Sequence, residues 1–123
     1  MPLAGPLVIY VEHDDPVVEQ TLLEFLTDLG NTAVAIGSDD ELREKLETND
    51  PKPDVLITSL ANGDEDGFEL LRQMHQQHPK IALILITNGG RSLSASEAAA
   101  CGVHAFLREP IRLSELELYL TRL

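Results

Sequence analysis

The segment PDVLITSLANGDEDGFELL, Pro53 to Leu71, holds the first candidate for chemistry. Val55, Leu56 and Ile57 read as a short buried strand, followed by a loop rich in glycine and acids and a helix opening near Gly67. In an open α/β sheet, ligands bind outside the carboxyl ends of the strands. The residue in that place is Ser59, flanked by Thr58 and Leu60. It is either a nucleophile or the replacement for a more reactive group. A hydroxyl attacks only with an activating base, so the answer depends on what the other strand ends bring to it.

Other chemically suggestive residues have plainer readings. The run NGDEDG, Asn62–Gly67, resembles a calcium loop but lacks the twelve-residue spacing and terminal Glu of an EF-hand, so it reads as a solvated acidic loop. His75, His78 and His104 share no ligand spacing and read as surface or satisfied histidines. Cys101, the one cysteine, rules out an internal disulfide and reads as a small buried residue in a reducing, cytoplasmic setting.

These residues need a scaffold, and 123 residues with 43% hydrophobic and 24% charged content suit one soluble domain, 1–123. No apolar run approaches a membrane span, and the amino terminus has no basic leader. A net charge of −12 repels phosphate backbones and anionic membranes, which argues against nucleic acid and membrane as partners. Aliphatic runs at Leu7–Val11, Thr32–Ile36, Asp54–Thr58, Ile81–Ile86 and Val103–Leu107 alternate with helical stripes. The stripes are Val18/Leu22/Leu23/Leu26/Leu29 ending at Gly30, then Leu42/Leu46, then Phe68/Leu71/Met74. A small-residue stripe Ala95/Ala98/Ala99/Gly102 and a last one at Leu113/Leu116/Leu120 complete the set. Asp15 before Pro16 predicts an N-cap, and Ser38/Glu41, Ser94/Glu97 and Ser114/Glu117 each fit a capping box. Strict alternation predicts a parallel sheet covered on both faces. The first, third and fourth runs are central strands and NTAVAI is an edge. The predicted fold is a flavodoxin-like (βα)5 domain with strand order 2-1-3-4-5.

Over essentially its whole length the sequence resembles the response-regulator receiver domain. The resemblance rests on VEHDDPVV, PDVLITSL…DG, ILITNGG and CGVHAFLREPI, and on the spacing between them. In that family, acids after the first strand and an aspartate ending the third hold Mg²⁺. The aspartate is phosphorylated, and a Thr/Ser and a Lys bind the phosphoryl oxygens. Metal and lysine are needed because the transition state is surrounded by carboxylates.

Carried over residue by residue, the acidic pair falls on His13 and Asp14, or on Glu12 and His13 if the register slips by one. The phosphoacceptor position is Ser59, Thr87 is retained, and the lysine position is Glu109 before Pro110. Two like charges at roughly 4 Å repel by about 4 kcal/mol at an effective dielectric of 20, so Glu109 opposes a phosphoryl group. The resemblance with these departures implies a degenerate pseudo-receiver, with Ser59 a relic and no enzymatic activity. No cofactor is expected, and Mg²⁺ binding is weak or absent. His13 and Glu109 are expected to form an ion pair. His13, Asp14 and Glu109 are also possible ligands for a transition metal, against which a hydrogen-bonded network is preferred. The family's partner surface, helix four to helix five, would present Phe106, Arg108 and Arg112 to a sensor kinase or output domain. The rival reading is a working phosphotransfer receiver modified by an atypical route at Asp14 or Ser59. A cofactor-binding flavodoxin-like protein is disfavoured, because VEHDDP is acidic and lacks the glycines that cradle phosphate.

Overall fold

The computed structural model describes residues 6–59, 65–87 and 94–123. Strands and helices alternate without exception: β1 (Val8–Glu12), α1 (Pro16–Asp28), β2 (Thr32–Ala35), α2 (Asp39–Thr48), β3 (Val55–Thr58), α3 (Glu65–Gln77), β4 (Ala82–Thr87), α4 (Ala95–Cys101), β5 (Val103–Arg108) and α5 (Leu113–Thr121). The sheet is parallel, in order β2-β1-β3-β4-β5. This is the flavodoxin-like arrangement. NTAVAI lies at an edge, and the three continuously apolar strands lie inside.

Side chains alternate across the sheet, so each strand feeds two cores. Ile9, Val11, Val55, Ile57, Ile84, Ile86, Ala105 and Leu107 pack with Leu22 and Leu26 of α1 and Leu116 and Leu120 of α5. Tyr10, Leu56, Leu83 and Leu85 pack on the other face with Leu42 and Leu46 of α2, Leu70, Leu71 and Met74 of α3, and Cys101 of α4. Burying β1, β3 and β4 on both faces is what fixes their carboxyl ends relative to one another.

The helix boundaries follow their chemistry, with some departures. Asp15 caps α1 through its side chain, which accepts from the Val17 amide, and Pro16 opens the helix. Ser94 and Glu97 form a complete capping box on α4. Ser38 accepts from the Glu41 amide, while the Glu41 carboxylate accepts from Gly37 N–H rather than from Ser38. The expected box at Ser114/Glu117 does not form. Helix α5 starts two residues earlier than that box would place it, with Arg112 at the N-cap and no side-chain cap. The strand expected at Leu7–Val11 is shifted by one residue, to Val8–Glu12, and α3 opens at Glu65, before Gly67. The small-residue stripe on α4 is not its buried face; Ala95 and Ala99 are exposed and Cys101 is the buried residue. Burial pushes the Cys101 thiol up to about 11, with Glu97 adding to it, so the thiol is inert at neutral pH. His75 is not satisfied as expected: its buried Nδ1 has no hydrogen-bond partner among the described residues, because the ring lies against Gly102.

Gly30 and Gly102 both occupy the left-handed region, at φ 93° and 67°, and end α1 and α4. A Cβ on Gly30 would meet nothing, whereas one on Gly102 would lie 2.2 Å from His75 Nδ1. Gly30→Ala should therefore cost only the conformational penalty, about 1 kcal/mol, and Gly102→Ala should cost about 2 kcal/mol or more, read by urea denaturation. Equal costs would show that the His75 ring yields freely.

Candidate functional site

The site lies across the carboxyl end of the sheet. His13 follows β1 and Ser59 follows β3, while Thr87 ends β4 and Glu109 follows β5. Backbone bonds tie these ends together. Ser59 N–H donates to the Glu12 carbonyl at 3.3 Å, and Glu109 N–H donates to the Thr87 carbonyl at 2.8 Å.

His13 and Glu109 meet. His13 Nε2 lies 2.7 Å from Glu109 Oε1, and the histidine side chain is 4% exposed against 31% for the glutamate. Since β1 and β5 are separated by β3 and β4, three strand spacings of about 4.8 Å each, this bond joins the sheet's carboxyl end across its middle. The Asp15 amide donates to His13 Nδ1 at 2.9 Å, so in the neutral ring Nδ1 offers the lone pair and the proton sits on Nε2. The contact is the His13–Glu109 pairing expected from the sequence, an ion pair whenever the ring is protonated. Asp14, 90% exposed, also lies 3.3 Å from Nδ1. The Asp15 side chain caps α1 and its carbonyl accepts from Glu19 N–H, so one chain of bonds runs from Glu109 through His13 to the start of that helix.

Of the two registers left open for the acidic pair, the structure gives Glu12 a separate environment. Its carboxylate accepts from Thr58 Oγ1 at 2.8 Å, on the adjacent β3. Burial raises the Glu12 pKa, and Asp39 and Asp14 raise it further against the opposing Thr58 bond. Sequence reasoning gave Glu12 no partner. The signal was cross-strand pairing of position 12 with 58, legible only once the β1–β3 register was known.

Of the remaining positions, Ser59 and Thr87 are half-buried, and Phe106 is 41% exposed on β5. Arg108 and Arg112 are exposed, and among the described residues neither forms an ion pair. Among the described residues no lysine or arginine pairs with Glu12, Asp14 or Glu109, and no three His, Cys, Asp or Glu side chains are grouped to hold a metal ion. Most of the acidic run Asn62–Gly67, and Asn88–Gly90 of the ILITNGG landmark, lie outside the described residues.

Residues 8–121 match the model of the response regulator receiver domain, and the chain belongs to that family. It is thus a receiver domain of the two-component type. It is 35% identical over 109 residues to the C4-dicarboxylate transport transcriptional regulatory protein DctD of Pseudomonas aeruginosa, covering 89% of this chain and 23% of that protein. Identity to the DNA-binding transcriptional regulator NtrC of Klebsiella pneumoniae is 28% over 108 residues, covering 88% and 23%. The chain thus spans about a quarter of the length of these curated relatives. A receiver domain from Clostridium thermocellum superposes with a TM-score of 0.80 at 25% identity, covering 94% of this chain and 92% of the other. Among the described residues no helix is long and apolar enough to cross a membrane.

The Glu12 environment makes a pH prediction. A carboxyl whose folded pKa is raised favours the fold below its unfolded pKa, and that advantage is lost as pH rises through the folded value. Glu12→Gln keeps an acceptor for Thr58 and removes the buried charge. It should raise the melting temperature at pH 7, with the gap over wild type closing towards pH 4. A gap independent of pH would show that the Glu12 charge is not penalised.

Proposed function

We propose that this receiver works without phosphorylation, as a protein-interaction module in bacterial two-component signalling. The observation that carries the reading is the His13–Glu109 hydrogen bond. It places a carboxylate, held by His13, at the position where the family's lysine would meet phosphoryl oxygens. Ser59 supplies no carboxylate to accept a phosphoryl group or to bind Mg²⁺. His13 is a poor ligand for a hard cation, which leaves Asp14 as the one acid at the three family positions. We therefore read the pocket as degenerate (His13, Asp14, Ser59, Thr87 and Glu109), with no cofactor, no weighty Mg²⁺ affinity and no enzymatic role.

In this reading residues 1–123 form one cytoplasmic receiver unit. Its partner is a protein, a sensor kinase or an output domain, and this domain touches neither nucleic acid nor membrane. Exposed Phe106, flanked by Arg108 and Arg112, which form no ion pair among the described residues, supports a docking surface on the face from α4 to α5. An aromatic side chain beside arginines is the composition that binding surfaces favour.

Incubation with acetyl phosphate and Mg²⁺, followed by intact-mass analysis, should add no phosphoryl group. The triple variant Ser59→Asp, Glu109→Lys, His13→Asp should become modified under the same conditions. A stoichiometric, hydroxylamine-labile adduct on the wild type would overturn the proposal and favour transfer at Asp14 or Ser59. In a separate NMR titration, millimolar Mg²⁺ should leave the His13 and Asp14 amides unmoved; saturable shifts at sub-millimolar metal would contradict the degenerate pocket.

A further inference from the structure

His75, on α3, presses its ring against Gly102, the left-handed C-cap of α4. A Cβ on Gly102 would lie 2.2 Å from Nδ1, 2.5 Å from Cε1 and 2.9 Å from Cγ, so the ring fills the space a side chain would take. The contact buries Nδ1, and among the described residues nothing bonds to it. The rest of the seam is thin. Helix α4 is seven residues long and, among the described residues, buries one side chain, Cys101, whose Sγ lies 3.8 Å from the Phe68 carbonyl of α3. The titratable and charged groups about the seam are Glu69 and Arg72 on α3, His78 just after it, Glu97 and Cys101 on α4, and His104 on β5. None of them bonds to Nδ1.

We propose that His75 is a proton-sensitive latch: the seam between α3 and α4 closes on the neutral ring and opens when the ring is protonated. The argument holds for either neutral tautomer, because an imidazolium carries a proton on both nitrogens and Nδ1 becomes a donor. In the closed seam that donor meets neither acceptor nor water, and a charged group left unsatisfied costs more than a neutral one. Opening the seam hydrates it. The neighbours do not relieve the charge. Arg72, one turn back along α3, has the same sign and already engages Glu69. Glu97 accepts from the Ser94 amide at the opposite end of α4. Cys101, its thiol pushed by burial up to about 11, stays uncharged. A proton that binds the open form more tightly than the closed one favours opening as pH falls. Imidazole suits the task, since it ordinarily changes charge between pH 5 and 8. Because α4 leads into β5, opening alters the face that carries Phe106; that consequence rests on the docking reading above, whereas the latch does not.

Cys101, the one cysteine and wholly buried, reports the opening. The chain is labelled with 4,4′-dithiodipyridine at pH 8 and at pH 5. Each rate is divided by that of the urea-unfolded chain at the same pH, which cancels the thiol's own ionisation. The ratio should rise by about tenfold on acidification, while the β3 amides stay protected from hydrogen exchange. His75→Phe, which keeps a flat ring and binds no proton, should hold the ratio low at both pH values. His78→Gln and His104→Gln should respond as the wild type does. In the wild type alone, the Cys101 and Gly102 amide resonances should follow one titration curve with the His75 ring. A ratio indifferent to pH, a rise that survives His75→Phe or is abolished by either control, or separate NMR midpoints would overturn the latch. Loss of β3 protection in the same step would mean global unfolding and overturn it equally.

Discussion

The hydrogen bond from His13 Nε2 to Glu109 Oε1 organises this end of the molecule. It connects β1 and β5, which the sheet keeps apart by two strands. Because His13 is almost wholly buried, losing either partner would leave a polar group without its mate, at a cost of about 1–3 kcal/mol. The same ring fixes the first turn of α1 through the Asp15 amide. The end of the last strand and the start of the first helix are thus held by one imidazole, with a defined tautomer, and each of its nitrogens has a specified task.

That arrangement governs the electrostatics. Glu109, Asp14 and the half-buried Glu12 bring three carboxylates to the strand ends, against one histidine. A site of this sign suits a cation and opposes a phosphoryl group, and the interaction-module proposal rests on that asymmetry. The cations within reach of a partner lie elsewhere, Arg108 on β5 and Arg112 at the start of α5. The surface is accordingly divided. One face offers an aromatic ring with arginines, and the other offers an apolar groove edged by Glu109.

The fold was legible because the residue pattern and the physics coincide. β1, β3 and β4 are apolar throughout since both faces are covered, and the 2-1-3-4-5 order follows from the resemblance together with the weak NTAVAI edge. Caps with a local mechanism were readable at Asp15 and Ser94. The one at Ser114 was not, because the chain leaving Pro110 enters α5 two residues early and tertiary packing of Leu113 and Leu116 decides the start. At the site, the meeting of His13 and Glu109 was anticipated from family register, but the second bond of the ring was not. That bond comes from a backbone amide two residues away pointing its proton at Nδ1, a feature no side-chain pattern encodes. The Glu12–Thr58 bond and the unpartnered His75 nitrogen were hidden for a similar reason, since each is set by packing across elements distant in sequence.

The protonation pattern of one ring tests the account most directly. Long-range ¹H–¹⁵N correlation of His13 should show Nε2 protonated and hydrogen-bonded to Glu109. Glu109→Gln should move the Nε2 resonance while leaving that proton in place. An Nε2 without a proton, or an Nε2 signal indifferent to Glu109→Gln, would contradict the bond on which the rest of the site depends.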